Sequence, residues 1–142
     1  MSPAVDAETY ASIEQLQHAY ADVVTRGAWD ETANLLTPDA HIRFATSSGA
    51  VFEVDGAEAF AEFGARMTGV LFSQYIPLTF VVSFTPEGGL EGRTYSLEVI
   101  ENDAGEWVES YSVYEDAYAL TDAGWRFARR SHRTVKRRVT PC

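Results

Sequence analysis

The sequence predicts an α+β domain in which helices pack on one face of a curved, mostly antiparallel sheet. Three observations predict it. The first half alternates segments of helical spacing with two short strand-like runs. The second half is a train of four long runs rich in β-branched and aromatic residues, parted by Gly, Pro, Asn and Asp clusters. No repeat or linker interrupts the order helix, helix, two strands, helix, four strands.

Tyr10, Ile13, Leu16, Tyr20, Val23 and Val24 fall mostly three or four apart and form one stripe of a helix over residues 7–26, which Gly27 ends. Glu8, Glu14, Gln15, His18 and Asp22 lie off the stripe. Trp29, Ala33 and Leu36 mark a shorter amphipathic helix from Trp29 to Leu36, which Pro38 cannot continue. Ala40 to Ala45 and Ala50 to Val54 read as a hairpin turning at Thr46-Ser47-Ser48-Gly49. Ala57, Phe60, Phe63 and Met67 restore helical spacing over 57–69. The long strands are Leu71–Phe84, Arg93–Glu101, Trp107–Leu120 and Trp125–Val135, and Pro77 within the first of them marks an edge, a bulge or a bend.

With 142 residues, 46% of them hydrophobic, the chain is long enough to bury one core and too short for two ordinary domains. Its one cysteine, Cys142, excludes an intramolecular disulfide and a cysteine metal cluster. The N-terminal residues have neither a basic segment nor an apolar core, and no apolar run approaches a membrane span, so a cytoplasmic location is expected. Net charge is −10, but every residue after Trp125 that carries charge is basic: Arg126, Arg129, Arg130, Arg133, Lys136, Arg137 and Arg138. Residues 1–125 hold four bases against 21 acids, a net of −17. An acidic body repels nucleic acid and anionic membrane, so neither is an expected partner, and the basic tail is expected to lie against the acidic body or a neighbouring subunit. No Gly-rich phosphate loop, nucleophile elbow, cysteine-histidine pair or metal spacing is present, so no cofactor and no metal are expected.

Asp116 demands an explanation. Its strand is apolar on both faces, through Tyr114, Tyr118 and Leu120 on one and Tyr111, Val113 and Ala117 on the other, and such a strand is covered on both. A carboxyl group there is hydrogen-bonded, paired with a cation such as Arg130 or Arg129, or neutral. Tyr20, on the first helix's apolar stripe, is buried in any case, and its hydroxyl needs a partner. If it met Asp116, both burials would be satisfied at once and two donors would converge on one point.

The segment Tyr20-Ala-Asp-Val-Val-Thr-Arg-Gly-Ala-Trp-Asp30, the run Leu36-Thr-Pro-Asp-Ala40 into a strand, and the closing Tyr-x-Asp and Gly-Trp-Arg-Phe-Ala-Arg-Arg resemble the SnoaL-like branch of the nuclear-transport-factor-2-like superfamily. The resemblance runs over nearly the whole chain and implies a single SnoaL-like domain over residues 1–142, with 1–6 and 136–142 as flexible tails. It implies a cone, a bent mixed sheet roofed by three helices around one apolar pocket. By analogy with ketosteroid isomerase, Tyr20 and Asp116 would be the catalytic pair, an oxyanion-binding tyrosine and a protonated acid. The isomerase's base position reads Phe44. The dehydratase and dehydrochlorinase branch pairs an aspartate with a histidine, and those positions read Thr25 and Tyr75.

Phe44, Tyr75, Phe80, Tyr114 and Tyr118 are the expected substrate-binding wall, flat and aromatic. His132 and His41 are the reserve bases, and His18 reads as solvated. The function expected is that of a cofactor-independent cyclase, isomerase or dehydratase of secondary metabolism, as in antibiotic biosynthesis, acting on a hydrophobic polyketide-like carbonyl compound. Hydrogen bonds to an enol or enolate and shaping of the substrate would carry the reaction. The alternative is a binding module of the same fold, holding a hydrophobic ligand without chemistry or dimerising as an accessory subunit. The convex face of a bent sheet predicts a homodimer, with a trimer as the other arrangement.

Overall fold

The structure, a computed structural model, describes residues 4–45 and 50–142. Helix α1 spans Ala7–Arg26. Asp6 caps its start by accepting a 2.8 Å hydrogen bond from the Thr9 amide. Gly27 ends it in the left-handed region at φ 67°, where a glycine carries no steric cost. The segment expected as a second helix is a 3₁₀ helix, Trp29–Asn34, because Leu36 already belongs to strand β1, Leu36–Ala45. Strand β2, Val51–Asp55, pairs antiparallel with β1; the Thr46–Gly49 turn expected between them lies outside the described residues. Helix α2 is Ala57–Ala65, four residues shorter than its spacing suggested.

Strands β3 (Val70–Phe84), β4 (Leu90–Asn102), β5 (Glu106–Thr121) and β6 (Gly124–Pro141) form an antiparallel meander. The sheet order is β2-β1-β6-β5-β4-β3, with β1 and β6 parallel, so it is mixed and mostly antiparallel as expected. Pro77 does sit on an edge strand and at a register shift, since it has no amide hydrogen for the ladder. The last strand runs beyond Val135 and pairs with β5 up to Pro141 opposite Glu106, so residues 136–141 are a strand and not a tail. The basic residues of β6 lie along acidic β5 and β4 at Glu109 opposite Arg138, and at Arg129, 3.7 Å from Glu91.

α1, the 3₁₀ helix and α2 cover one face of the bent sheet, and the core lies between them around Ile13, Leu16, Tyr20, Ile42, Phe60, Leu90, Tyr114 and Phe127. The opposite face is open: Val81, Tyr95 and Tyr111 are each more than 40% exposed. Two glycines are needed for close approach. A Cβ on Gly92 would meet the Val81 carbonyl oxygen at 2.1 Å, and one on Gly64 would enter the Trp29 indole at 2.2 Å. Gly64 therefore lets the 3₁₀ helix lie against α2.

Phe127 is fully buried and packs its ring on Tyr20 and Tyr118. Phe127→Ala leaves a cavity under both rings, and urea denaturation should show a loss of about 3–5 kcal/mol.

Candidate functional site

Residues from five strands meet on the concave face in cross-strand rows. One row runs Phe44, His132, Tyr114, Thr94, Phe80 from β1 to β3; the next runs Ile42, Arg130, Asp116, Gly92, Val82. Tyr75, Glu98 and Ser110 form a shorter row two above the first, past Pro77, Ser96 and Ser112. These rows separate two environments.

The lower is a buried polar cluster. Arg130 and Asp116 have no exposed side-chain surface and make a bidentate contact, Nε to Oδ1 at 2.8 Å and Nη2 to Oδ2 at 3.1 Å. The second carboxylate oxygen also accepts from Gln17 Nε2 at 3.2 Å, Thr94 Oγ1 at 3.1 Å and the Tyr118 hydroxyl at 3.4 Å. Gln17 closes the network. Its Nε2 also donates to Thr94 Oγ1 and the Tyr118 hydroxyl, both at 2.8 Å, and its Oε1 accepts from Arg130 Nη2 at 3.2 Å. Arg130 Nη1 has no hydrogen-bond partner, but the guanidinium lies 3.9 Å from the Tyr114 ring centre, 4.1 Å from Phe127 and 4.4 Å from Tyr20. Aromatic faces attract a cation, so three rings supply what the missing partner does not. Burial opposes the Arg130 charge more strongly than any single partner supports it, but Asp116 and the surrounding Tyr75, Tyr20 and Tyr114 together hold the guanidinium well above its ordinary value.

The upper environment is a cavity of about 280 Å³, lined by Tyr20, Phe44, Phe60, Tyr75, Tyr114 and His132 together with Trp29, Phe63, Met67 and Glu98. Burial raises the Tyr20 hydroxyl to about 12 and pushes Tyr114 well above its usual range, so both stay protonated and able to donate. His132 is driven down to about 4, first by burial and then by the Arg130 charge. Its ring lies 4.9 Å from Tyr114 and 5.5 Å from Phe44, and its Nδ1 has no partner. The Tyr75 hydroxyl is likewise buried and unpartnered. Among the described residues no cluster of three His, Cys, Asp or Glu side chains is disposed to hold a metal ion.

The expected site residues therefore divide. Tyr20, Phe44, Tyr75, Tyr114 and His132 share the cavity. Asp116 and Tyr118 belong to the polar cluster below it, and Phe80 stacks on Tyr10 with ring centres 4.8 Å apart. The proposed meeting of Tyr20 with Asp116 is not made, because Arg130 takes the carboxylate and lays its cation on the Tyr20 ring. Asp116 accepts hydrogen bonds here and is not turned into the cavity as a donor. His41 sits on the outer face, 2.6 Å from Asp55 and 3.4 Å from Glu53, and is held protonated more strongly than usual chiefly by Asp55. Thr25 and Tyr75 do adjoin, the Tyr75 amide donating to Thr25 Oγ1 at 3.1 Å.

Sequence reading missed Gln17 and Glu98. Gln17 was findable: four residues after Ile13 and three before Tyr20, it lies on the apolar stripe, where a polar side chain must have partners. Glu98 gave no such signal, since its same-face neighbours along the strand are one polar and one apolar, Ser96 and Ile100, and mark neither a buried nor a solvated face.

With that geometry in place, comparison decides the family. The SnoaL-like domain family matches residues 5–131. The chain belongs to it. No curated protein sequence matches the chain significantly. Among solved structures, SnoaL-like architecture recurs in a candidate scytalone dehydratase from Novosphingobium aromaticivorans, 19% identical with a TM-score of 0.80 over 94% of this chain and 91% of that one. It recurs in the hexachlorocyclohexane dehydrochlorinase LinA-type3 from Novosphingobium barchaimii, 17% identical with a TM-score of 0.79 over 95% and 90%. ActVI-ORFA from Streptomyces coelicolor is 11% identical, with a TM-score of 0.75 over 91% and 98%. At these identities the likeness is one of fold. No helix among the described residues is long and apolar enough to cross a membrane.

Two outcomes follow from the buried cluster and the depressed imidazole. Asp116→Ala and Arg130→Ala should each cost about 3–5 kcal/mol, since each strands a buried charge, while the double variant should cost less than their sum; a denaturation double-mutant cycle reads the coupling. His132 has a folded value of about 4 against the ordinary 6.5. The unfolded chain therefore binds the proton first as pH falls, and stability present above 6.5 is lost down to about 4. His132→Asn should remove on the order of 2–3 kcal/mol of that pH dependence, measured as unfolding free energy at pH 7 and pH 4.

Proposed function

We propose that this SnoaL-like protein is a cofactor-independent enzyme, a cyclase, isomerase or dehydratase of secondary metabolism acting on a hydrophobic, polyketide-like carbonyl compound. One observation carries the reading: a cavity walled by aromatic rings into which phenols and a neutral imidazole are turned, beside a fixed buried cation. Rings shape and orient a flat substrate. Tyr20, Tyr114 and His132, all uncharged at neutral pH, are suited to donate hydrogen bonds to an oxygen that gains charge as an enol or enolate forms. The dehydratase and dehydrochlorinase names among structures of the same fold agree with proton-transfer chemistry that needs no cofactor.

The locking of Asp116 into its ion pair favours a second reading, a hydrophobic-ligand-binding or dimerising module without turnover. We further propose a homodimer formed through the open face, where Val81, Tyr95 and Tyr111 are exposed, with a trimer as the alternative. Light scattering at micromolar concentration should give twice the chain mass; a monomer counts against both assemblies.

Binding of 1-tetralone and 2-naphthol should quench tryptophan fluorescence in the native protein and not in Trp29→Phe. On a bicyclic β-hydroxyketone that is turned over, Tyr114→Phe should lower kcat by about 10- to 100-fold with little change in KM. Binding without product on prolonged incubation would favour the module.

A further inference from the structure

The cavity holds donors, yet His132 is a weak proton acceptor at neutral pH and Asp116 is engaged elsewhere. Glu98 is the remaining acid in the wall. It projects from the middle of β4, opposite Tyr75 on β3 and Ser110 on β5, and among the described residues it has neither a hydrogen-bond nor an ion-pair partner. A carboxylate placed among Phe, Tyr and Trp side chains without a partner has no structural reason to be there, and an apolar residue would pack better.

Glu98 also lines a second, outer cavity of about 300 Å³ together with Thr25, Arg26, Ser73 and Ile100. Val24, Trp29, Met67 and Glu98 are common to both cavities. The carboxyl group thus stands at the boundary between the aromatic interior and an outer cleft, where a group that takes a proton from substrate and passes it to water has to stand. The titratable groups facing it are Tyr20 on α1, Tyr75 on β3, Tyr114 on β5 and His132 on β6; α2 contributes Phe60 and Phe63. The cations nearby are already paired, Arg130 with Asp116, and Arg26 with Asp22 and Glu31. None neutralises Glu98.

We propose that Glu98 is the proton acceptor of this site, the general base that removes a proton from carbon next to the substrate carbonyl. The inference rests on the reading of the cavity as a catalytic one. The carbon–hydrogen electron pair becomes the enolate double bond, the carbonyl oxygen takes the charge and is met by the phenol and imidazole donors, and the proton resides on the Glu98 carboxyl until it is returned to product or water. Burial raises the Glu98 carboxyl above its ordinary 4.5, which strengthens it as a base.

The test needs no natural substrate. 5-Nitrobenzisoxazole is a flat aromatic probe that a carboxylate in an apolar site opens by removing its ring C–H proton; the C–H pair forms the nitrile, the N–O bond breaks, and a coloured phenolate leaves. The native protein should open it faster than free acetate does. Glu98→Gln should lose about a hundredfold or more of that rate while still binding the probe by tryptophan quenching, and Glu101→Gln, on the same strand but outside both cavities, should keep the rate within a few-fold. A Glu98→Gln variant as fast as the native protein overturns the proposal. Carbon-13 NMR of the carboxyl groups gives a readout independent of any ligand: the resonance absent from Glu98→Gln should titrate above 4.5, and titration at or below it overturns the assignment even if the cavity binds. If the probe does not bind but the resonance is raised, the cavity reading fails on its own.

Discussion

The contact between Arg130 and Asp116 is the constraint on which the rest of the concave face depends. Both side chains are out of solvent, and withdrawing each ion from water costs several kcal/mol before any attraction is counted. The offset requires almost every hydrogen-bonding position to be filled. Gln17 from α1, Thr94 from β4 and Tyr118 from β5 do this, and the faces of Tyr20, Tyr114 and Phe127 receive the open side of the guanidinium. Helix α1 is thereby tied to the three central strands by polar contacts of defined geometry as well as by its apolar stripe. A slide or rotation of the helix would leave buried charge unpaired.

That cluster is also the floor of the cavity. Two of the rings that flank Arg130, Tyr20 and Tyr114, present their other sides to the cavity, so the cation fixes the orientation of the cavity's own walls. Its charge reaches His132 and helps keep the imidazole neutral. One buried ion pair thus sets both the shape and the protonation of the space above it. Glu98, three rows away on β4 and beside the outer cleft, lies outside this cluster, and its carboxyl is raised by burial alone.

Much of the fold was legible in the sequence. Residues 7–26 coincide with α1 because its stripe is long and Gly27 marks its end; the Asp6 cap at its start came only from the structure. Boundaries failed where packing outweighs local signal. The second helix tightened to a 3₁₀ helix because Leu36 pairs opposite Phe127, and β6 continued past Val135 because β5 offers it partners as far as Glu106. At the site, Tyr20, Phe44, Tyr75, Tyr114 and His132 were legible as cavity residues. The partner of Asp116 was legible only as a choice between two arginines.

What the sequence determined by itself is the set of elements, their order, and the fact that Asp116 is buried, because hydrophobic period and turn residues act over a few neighbours and need no knowledge of the rest. Which arginine meets Asp116 was decided by tertiary structure. Along an unbroken strand, Phe127 facing inward would carry Arg129 inward with it. A register shift between Ala117 and Tyr118 of β5, opposite Arg129 and Phe127, leaves Ala128 as the extra residue and turns Arg130 to the inside. One residue of slip exchanges the two faces of a strand, and only pairing with the neighbouring strand sets it. The place of Glu98 in the wall has the same origin: cross-strand registers among β3, β4 and β5 bring it to Tyr75 and the cavity, and no pattern within its own strand records that.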